Sequence, residues 1–336
     1  MHGSEPASPT GASRPGGAPP SAVNGSKRTV VSVVVVTWNC RQAVLDCLES
    51  LKDNPPSVGW EVIVVDNGSA DETVDAIRAS APWARVIANR SNRGLPAANN
   101  QGMVAASGEA LLISNPDVIW QPGAVDAMLS VLRRHPRAAW VVPLVRYEDG
   151  TLCTTAGDLP TFADALIGRQ GERLRRHRAT DPTSGQWWDG WAHDEERSIG
   201  RGYEAAYLMR RQAVEEVGLQ DESYVLDWEG ADWTARLRDQ GWQIWLCPEA
   251  EVIHLGGQSI RQVPLRWIVS SHRGMYRYFA SRSPAVARPA IAVAVAARAG
   301  AKLAAAGAGA ALYERAFRGA PGGRTKRAPG GTHTTK

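Results

Sequence analysis

The sequence is poor in cysteine and has no long apolar segment. Its 336 residues include four cysteines, none of them in a CxxC pair: Cys40, Cys47, Cys153 and Cys247. This scatter argues against a disulfide scaffold or a zinc site and favours a reducing compartment. The apolar run Pro289–Ala297 is flanked by Arg288 and Arg298, so it falls short of the roughly 18 residues of a membrane span. No apolar stretch follows Met1 either, and we expect no secretory signal.

Acidic residues are almost missing from the C-terminal part of the chain. From Arg261 onward, 14 Lys and Arg accompany one acid, Glu314, whereas the rest of the chain carries 24 basic and 33 acidic residues. The formal net charge of +4 therefore combines a weakly acidic body with a basic terminal segment. A basic nucleic-acid binder is accordingly the weakest of the functions considered, and we expect no nucleic acid partner.

Apolar strands and helices alternate through the first half of the chain. Residues 1–28 are mainly Ser, Gly, Pro and Ala, and we expect them to be disordered. The predicted strands are Val30–Val36, Glu61–Val65, Arg85–Ala88, Ala110–Ser114 and Ala138–Val145. Helical patterns separate them. This order predicts an α/β fold, Rossmann-like, with a doubly wound and mostly parallel sheet and helices on both faces.

Four short polar segments follow the predicted strands. They are Thr37–Asn39, Asp66–Ser69, Asn92–Gly94 and Asn115–Asp117. Because ligands of such sheets bind at the carboxyl ends of the strands, the four segments predict one site. Asp66 can accept hydrogen bonds from a ribose or a base edge, and the turn after it precedes a helix, where negative charge is favoured. A plain Asn-Gly turn, with Asp71 as helix cap, is the alternative.

Asp117 is a candidate metal ligand. It stands near the tip of a buried strand, two residues after Asn115. A carboxylate in this position suits a hard divalent cation, Mg²⁺ or Mn²⁺, that bridges a diphosphate. With one carboxylate present, we expect a weakly held ion that keeps several waters. The alternative is a proline turn that leads into the helix near Pro122.

Taken in order, the segments VSVVVVTWN, EVIVVDNGSADET, NRGLPAANNQG and NPD resemble the family 2 glycosyltransferases with the GT-A fold. The resemblance extends over Val30–Phe279 and is nearest to the bacterial rhamnosyltransferases of cell-wall and surface-polysaccharide assembly. It implies a GT-A domain at 29–280, with a nucleotide-sugar-binding half at 29–146 and an acceptor half at 147–280. A basic, alanine-rich helical segment at 281–318 and a disordered basic tail at 319–336 complete the expected organisation.

The resemblance also assigns functions to individual residues. It implies a donor site of ten residues: Thr37, Asn39, Asp66, Asn67, Gly68, Arg93, Gly94, Asn99, Asn115 and Arg261. The NPD segment takes the place of the family's metal motif, which makes Asp117 a ligand. His254 ends an apolar strand before two glycines and is the second expected ligand, since neutral imidazole binds Mn²⁺.

The catalytic base is less well defined by the sequence. Glu229 and Asp232 are three residues apart, which places both on one face of a predicted helix start. An inverting transfer needs one carboxylate to take the proton of the acceptor hydroxyl. In the family that carboxylate usually follows the glutamate, but here the position is Gly230. Glu229, Asp232 and loss of activity are the alternatives, and Glu229 is preferred.

The sequence thus predicts an inverting, metal-dependent glycosyltransferase. Its first-choice donor is dTDP-rhamnose, and its acceptor is a glycan or a polyprenyl-diphosphate-linked glycan. Another donor sugar (galactofuranose, mannose or N-acetylglucosamine) and a non-catalytic nucleotide-sugar- or glycan-binding subunit are the alternatives. A nucleotidyltransferase is disfavoured because Thr37–Arg41 contains no glycine.

The basic segment at 281–318 predicts where the protein works. A basic and moderately apolar helix beside a catalytic domain is typical of docking on an anionic membrane surface. We therefore expect a cytoplasmic protein that is peripheral on the inner face of the cell membrane. A solvated or oligomer-forming helix is the alternative.

Overall fold

Residues 29–168, 185–256 and 264–318 are described by the computed structural model of this chain. The disorder expected of residues 1–28 and 319–336, and the donor contact expected of Arg261, lie outside these ranges. From Thr29 to Arg134 strands and helices alternate as the sequence predicts, except that a short strand that was not predicted, Val118–Trp120, follows the strand Ala110–Ser114.

The bounds of the elements are as follows. The strands are β1 (Thr29–Thr37), β2 (Gly59–Asp66), β3 (Arg85–Ala88), β4 (Ala110–Ser114), β5 (Val118–Trp120), β6 (Ala138–Tyr147), β7 (Ala156–Gly157), β8 (Arg197–Ile199), β9 (Arg201–Gly202), β10 (Ala206–Arg210) and β11 (Gln243–His254). The helices are α1 (Arg41–Asp53), α2 (Thr73–Ser80), α3 (Leu95–Ala105), α4 (Ala124–Arg134), α5 (162–168), α6 (Arg211–Val217), α7 (Glu229–Asp239), α8 (Pro264–Ser281) and α9 (Arg288–Arg318).

One mixed sheet forms the centre of the fold. Its strand order is β3-β2-β1-β4-β10-β6-β11-β5, with β8 paired to β11 as a branch. The pairs among β1, β2, β3 and β4 are parallel, and so is the pair of β6 with β11. Strand β10 runs antiparallel to both of its neighbours, β4 and β6. The predicted α/β fold with a mostly parallel sheet is confirmed, with β10 reversed at its centre and with β5 and β8 antiparallel to β11.

The β-branched run of β1 explains why this strand occupies the interior of the sheet. Successive side chains of a strand point to opposite faces. Val33 accordingly packs in the same apolar cluster as Leu48 of α1, and Val34 packs with Met103 of α3 on the other face. The strand therefore needs apolar residues on both faces, which is why it reads as a continuous run rather than as an alternation.

Helices α8 and α9 attach to the sheet domain through α7. A third apolar cluster joins these elements, with the members Ala165, Tyr224, Ala231, Ala235, Met275, Tyr278, Phe279, Ile291 and Val295. Other apolar side chains at this end of the chain face solvent, since Val286 is 88% and Val293 71% exposed. The two C-terminal helices are therefore anchored on one side and open on the other.

One helical stretch in the described residues is long and apolar enough, by length and composition alone, to cross a membrane. It is Ala285–Gly307, with a mean hydropathy of 1.4 and 11% of its apolar window buried. The sequence led us to expect no span because Arg288 and Arg298 flank the apolar run. In the structure the helix continues through Arg298, so the helical segment is long enough to pass the test of length and hydropathy for a membrane span.

Gly68 tests how tightly the turn after β2 is built. Its φ is +83°, and a Cβ there would lie 2.7 Å from the Cα of Ser91. Gly123 has a similar φ of +75°, but its Cβ would meet nothing within 4 Å. We expect Gly68→Ala to lower the free energy of unfolding by about 2–4 kcal/mol and Gly123→Ala by about 1 kcal/mol, because only the first adds a backbone clash to the left-handed conformation. Urea denaturation followed by tryptophan fluorescence measures both, and equal losses would contradict this account.

Candidate active site

A cleft of about 1820 Å³ opens at the edge of the sheet where β1 and β4 end. Five of the expected donor residues line it: Thr37, Asn67, Arg93, Gly94 and Asn115. The expected metal ligands and candidate bases line the same cleft: Asp117, His254, Glu229 and Asp232. The structure therefore brings the two halves of the predicted site together around one space.

Two buried oxygens without partners mark the end of the β1–β2 pair. Thr37 and Asp66 are neighbours in the parallel register of these strands. Asp66 Oδ1 accepts hydrogen bonds from the amides of Gly68 and Ser69, at 3.2 and 3.0 Å. In the described part of the chain, however, Asp66 Oδ2 and Thr37 Oγ1 are buried with no hydrogen-bond partner. Unpaired buried polar atoms are costly, so a ligand that supplies hydrogen bonds here would be favoured.

Asn67 holds the turn that carries Arg93. Its Nδ2 donates to Asn92 Oδ1 at 3.0 Å and to the carbonyl of Gly94 at 3.1 Å. Its Oδ1 accepts from the amide of Arg93 at 3.0 Å. The side-chain amide is thus occupied by the protein itself. Asn67 positions the Asn92–Gly94 segment at the cleft, and the exposed Arg93 is the group of this segment that is free to meet an anion.

Four of the expected donor residues contribute no surface to the cleft: Asn39, Asp66, Gly68 and Asn99. Asn39 links two loops, since its Oδ1 accepts from the amide of Ala70 at 2.8 Å. Asn99 is buried in α3 and donates from Nδ2 to Gln220 Oε1 at 3.1 Å. These hydrogen bonds support the walls of the cleft from behind. Arg273 of α8, another cation of the C-terminal segment, lines the cleft.

Asp117 and His254 form the pair that could hold a cation. The Oδ1 atom of Asp117 lies 3.2 Å from Nε2 of His254, and both side chains are buried. The amide of Leu255 donates to the carbonyl of Asp117 at 2.9 Å, which ties the end of β11 to the segment after β4. The Tyr203 hydroxyl lies 3.4 Å from Nδ1 of His254. A carboxylate and an imidazole fit Mn²⁺ or Mg²⁺ when a diphosphate and waters supply the remaining ligands. Among the described residues, no group of three or more His, Cys, Asp or Glu side chains forms a complete protein site.

Glu229 is a buried carboxyl group at the first residue of α7. Its Oε2 atom has no hydrogen-bond partner in the described residues. Burial, together with the carboxyl groups of Glu204 and Asp227, raises the pKa of Glu229 well above its usual range. Asp227 and Trp228 precede it with φ values of 67° and 71°, a left-handed conformation that is strained for these residue types. This strained segment presents the acids to the cleft.

Asp232, the other predicted base, is bound by two guanidinium groups. Its Oδ2 accepts from Arg236 Nε at 2.9 Å and its Oδ1 from Arg282 Nη1 at 3.0 Å. The hydroxyl of Tyr224 lies 3.5 Å from Oδ1. Because Arg282 follows α8, the carboxylate links α7 to the C-terminal helices. The structure gives Asp232 the contacts of a structural ion pair.

Glu204 is a residue of the cleft that the sequence did not indicate. Together with Arg201, Tyr203 and Asp227 it lines the cleft. The sequence indicates site residues at the carboxyl ends of parallel strands, whereas Glu204 precedes β10, which is antiparallel to its neighbours. In the register of β10 with β4, Ala206 pairs with Ser114. The beginning of β10 therefore lies at the same edge as the end of β4, and the signal that could have found Glu204 is the direction of this strand.

The chain is similar to proteins of known class. Residues 32–191 match the family model of glycosyl transferase family 2. Over 267 residues the chain is 30% identical to the N-acetylglucosaminyl-diphospho-decaprenol L-rhamnosyltransferase of Mycobacterium tuberculosis, in an alignment that covers 75% of this chain and 85% of that protein. Among solved structures, the mannosyltransferase PcManGT from Pyrobaculum calidifontis in complex with GDP-Man and Mn²⁺ matches with a TM-score of 0.51 and 18% identity. That match covers 89% of this chain and 82% of PcManGT, and it shows a shared fold.

The raised pKa of Glu229 predicts how stability depends on pH. Because the folded protein holds this proton to higher pH than the unfolded chain, stability falls as pH rises from the ordinary glutamate value of 4.5. We expect Glu229→Gln to be more stable than the wild type by at least about 1 kcal/mol at pH 8, and the difference to shrink toward pH 5. Urea denaturation at the two pH values measures it.

Glu61 serves as a control because its pKa is shifted in the direction opposite to that of Glu229. Burial raises the pKa of this carboxyl group, but hydrogen bonds from Ser107 and Ser32 outweigh burial and bring it below its usual value. Glu61→Gln should therefore be less stable than the wild type at pH 8. If Glu229→Gln and the wild type show the same dependence on pH, the account of Glu229 is wrong.

Proposed function

The chain belongs to glycosyl transferase family 2, and on this premise we propose that it transfers L-rhamnose from a nucleoside diphosphate to a polyprenyl-diphosphate-linked glycan. The similarity to the mycobacterial rhamnosyltransferase over most of both chains carries this proposal. The name of that relative supplies both the sugar and the class of acceptor. The same scaffold with another donor sugar is the nearest alternative.

The donor nucleotide is proposed to bind at the ends of β1 and β2. Thr37 lines the cleft, and its buried, unpartnered Oγ1 would exchange hydrogen bonds with the N–H of a base or the hydroxyls of a ribose. Asp66, its neighbour in the strand register, orders the turn after β2 through Oδ1. Arg93 lines the same part of the cleft and would pair with the diphosphate, since a guanidinium matches phosphate oxygens. dTDP is the first choice of nucleotide because it carries rhamnose in the predicted donor.

A divalent metal is proposed to bind at Asp117 and His254. Their donor atoms lie 3.2 Å apart in the cleft, and a carboxylate with an imidazole is a ligand set that Mn²⁺ and Mg²⁺ accept. When bound, the ion would supply positive charge that stabilises the diphosphate as it leaves. The Mn²⁺ in the PcManGT complex belongs to a protein with a similar fold.

The catalytic base is proposed to come from the acidic residues at the start of α7 and in the segment before β10. In the proposed transfer an acceptor hydroxyl attacks C1 of the sugar on the face opposite the diphosphate, the bond from C1 to the diphosphate breaks, and the configuration inverts. A carboxylate must take the hydroxyl proton. Glu204, Asp227 and Glu229 line the cleft for this role, whereas Asp232 is bound by Arg236 and Arg282. This cluster argues against a non-catalytic binding subunit.

The acceptor is proposed to reach the cleft from a membrane surface. Arg288 and Leu303 of α9 and Leu265 and Val269 of α8 line the cleft, so the C-terminal helices stand beside its opening. Leu265 near the start of α8 is 54% exposed, and Val286, just before α9, is 88% exposed. An apolar face with flanking arginines beside the site favours docking in the plane of an anionic bilayer. A lipid-linked acceptor would then enter the cleft without leaving the membrane.

A thermal-shift measurement tests the donor and metal sites. We expect dTDP with Mn²⁺ or Mg²⁺ to raise the unfolding midpoint by about 5 °C at saturating concentration, more than UDP or GDP does. Asp117→Asn and His254→Gln should remove the part of the shift that depends on metal, and Glu195→Gln, on the surface, serves as control. Absence of stabilisation by any nucleotide would overturn the proposed donor site.

Sedimentation with vesicles tests the membrane surface. We expect the wild type to sediment with vesicles rich in phosphatidylglycerol and the double variant Val286→Glu, Val293→Glu to lose at least about half of this binding, because charge on an apolar face opposes insertion. Val104→Glu is the matched control, since Val104 of α3 is 71% exposed. Equal sedimentation of all three proteins would contradict docking through this face.

A further inference from the structure

Gly230 lies under the carboxyl group of Glu204. An ideal Cβ built on Gly230 would be 1.9 Å from both Cδ and Oε2 of Glu204 and 2.2 Å from Oε1. The backbone amide of Gly230 donates a hydrogen bond to the same carboxyl group. The side chain of Glu204 thus fills the volume in which a side chain at position 230 would begin.

Conformation does not explain the glycine. Gly230 is the second residue of α7 and is not among the glycines with positive φ. Inside a helix, glycine is less favourable than alanine by about 1 kcal/mol. The contact with Glu204 is the structural reason for a residue without a side chain here.

The segment that carries Glu204 is fixed at the reaction side of the sheet. It joins β9 to β10, and the carbonyl of Ala205 accepts a hydrogen bond of 2.7 Å from the amide of Asn115. Asn115 is two residues from Asp117, so the Glu204 segment is tied to the segment of the proposed metal ligand. Arg201 Nη2 lies 3.3 Å from Glu204 Oε1 and orients the carboxyl group.

Glu204 is better suited to act on an acceptor than the other acids of the cluster. Its side chain is 27% exposed and lines the cleft, whereas Glu229 is 4% exposed and has an enclosed Oε2. Burial raises the pKa of both glutamates, and Arg201 opposes the rise at each of them. The carboxylate form of Glu204 is stabilised by Arg201 and by the Gly230 amide, whereas Oε2 of Glu229 has no hydrogen-bond partner in the described residues.

Resting on the proposed function, we propose that Glu204 is the catalytic base of the transfer. Its carboxylate takes the proton of the acceptor hydroxyl while the hydroxyl oxygen bonds to C1 of the sugar. The bond between C1 and the diphosphate oxygen breaks, and the nucleoside diphosphate leaves with the bonding electrons. A carboxylate from the β9–β10 segment thus works at the start of α7, where the sequence offered Glu229 and Asp232.

The first test removes the proton acceptor and keeps the shape. The assay follows transfer of labelled rhamnose from dTDP-rhamnose to N-acetylglucosaminyl-diphospho-polyprenol. We expect Glu204→Gln to lower kcat at least about 100-fold, while the thermal shift by dTDP and metal stays at the wild-type value. Glu195→Gln is the control for removal of a surface carboxylate and should transfer at the wild-type rate.

The second test moves the carboxylate to the facing residue. Glu204→Gly should be as slow as Glu204→Gln, and the double variant Glu204→Gly, Gly230→Asp should be at least about 10-fold faster than Glu204→Gly alone. The double variant restores a carboxylate to the same volume from α7 and relieves the clash that Gly230→Asp alone would create. A purely structural role of Glu204 predicts no such rescue.

The outcomes separate the two proposals. If the wild type transfers no sugar from any donor, the proposed function is overturned. If the wild type transfers rhamnose and Glu204→Gln does so at a similar rate, the function stands and the assignment of Glu204 is overturned. A double variant that binds dTDP normally but remains as slow as Glu204→Gly also counts against a base in this volume.

Discussion

The reversed direction of β10 is the constraint on which the site depends. In a sheet of parallel strands, only the ends of strands meet at the ligand edge. Because β10 runs antiparallel between β4 and β6, its beginning also reaches that edge and brings the segment from Arg201 to Ala205 with it. The hydrogen bond from Asn115 to Ala205 closes the contact. Because of this reversal, Glu204 lies at the same edge of the sheet as Asp117.

Local chemistry explains which parts of the structure the sequence could predict. The valine run of β1 predicts the sheet, because a strand buried on both faces consists of apolar residues. The polar residues after β1, β2 and β4 predict the cleft, because they stand where the strands end. The direction of β10 cannot be predicted in this way. Ala206–Arg210 is almost entirely buried, and a buried strand has the same apolar composition whichever way it runs. Glu204 was missed for that reason. Asn67 and Asn99 were expected to bind the donor, but their side chains make hydrogen bonds within the protein. An asparagine that holds a loop and one that binds a ligand cannot be distinguished in a sequence.

The two halves of the cleft differ in how they treat charge. On the side of β1 and β2, Thr37 Oγ1 and Asp66 Oδ2 are buried without a hydrogen-bond partner in the described residues, which carries a desolvation cost. On the side of α7, Glu204, Asp227 and Glu229 lie close together, and burial raises the pKa of each carboxyl group. Asp232 lies one helical turn after Glu229, and its negative charge is balanced by ion pairs with Arg236 and Arg282. The first turn of α7 therefore contains one acid, Asp232, that holds the helices together, and another, Glu229, that belongs to the acid cluster.

The contact between Glu204 and Gly230 also limits how this sequence can vary. A side chain at 230 requires a small residue at 204, because the two would otherwise occupy the same volume within 2 Å. A small residue at 204 without an acid at 230 leaves that volume with no carboxylate. The two positions are thus coupled, and neither glutamate-to-glycine nor glycine-to-aspartate is a neutral single step. Related chains should therefore divide into those with an acid at the first position and glycine at the second, and those with the reverse.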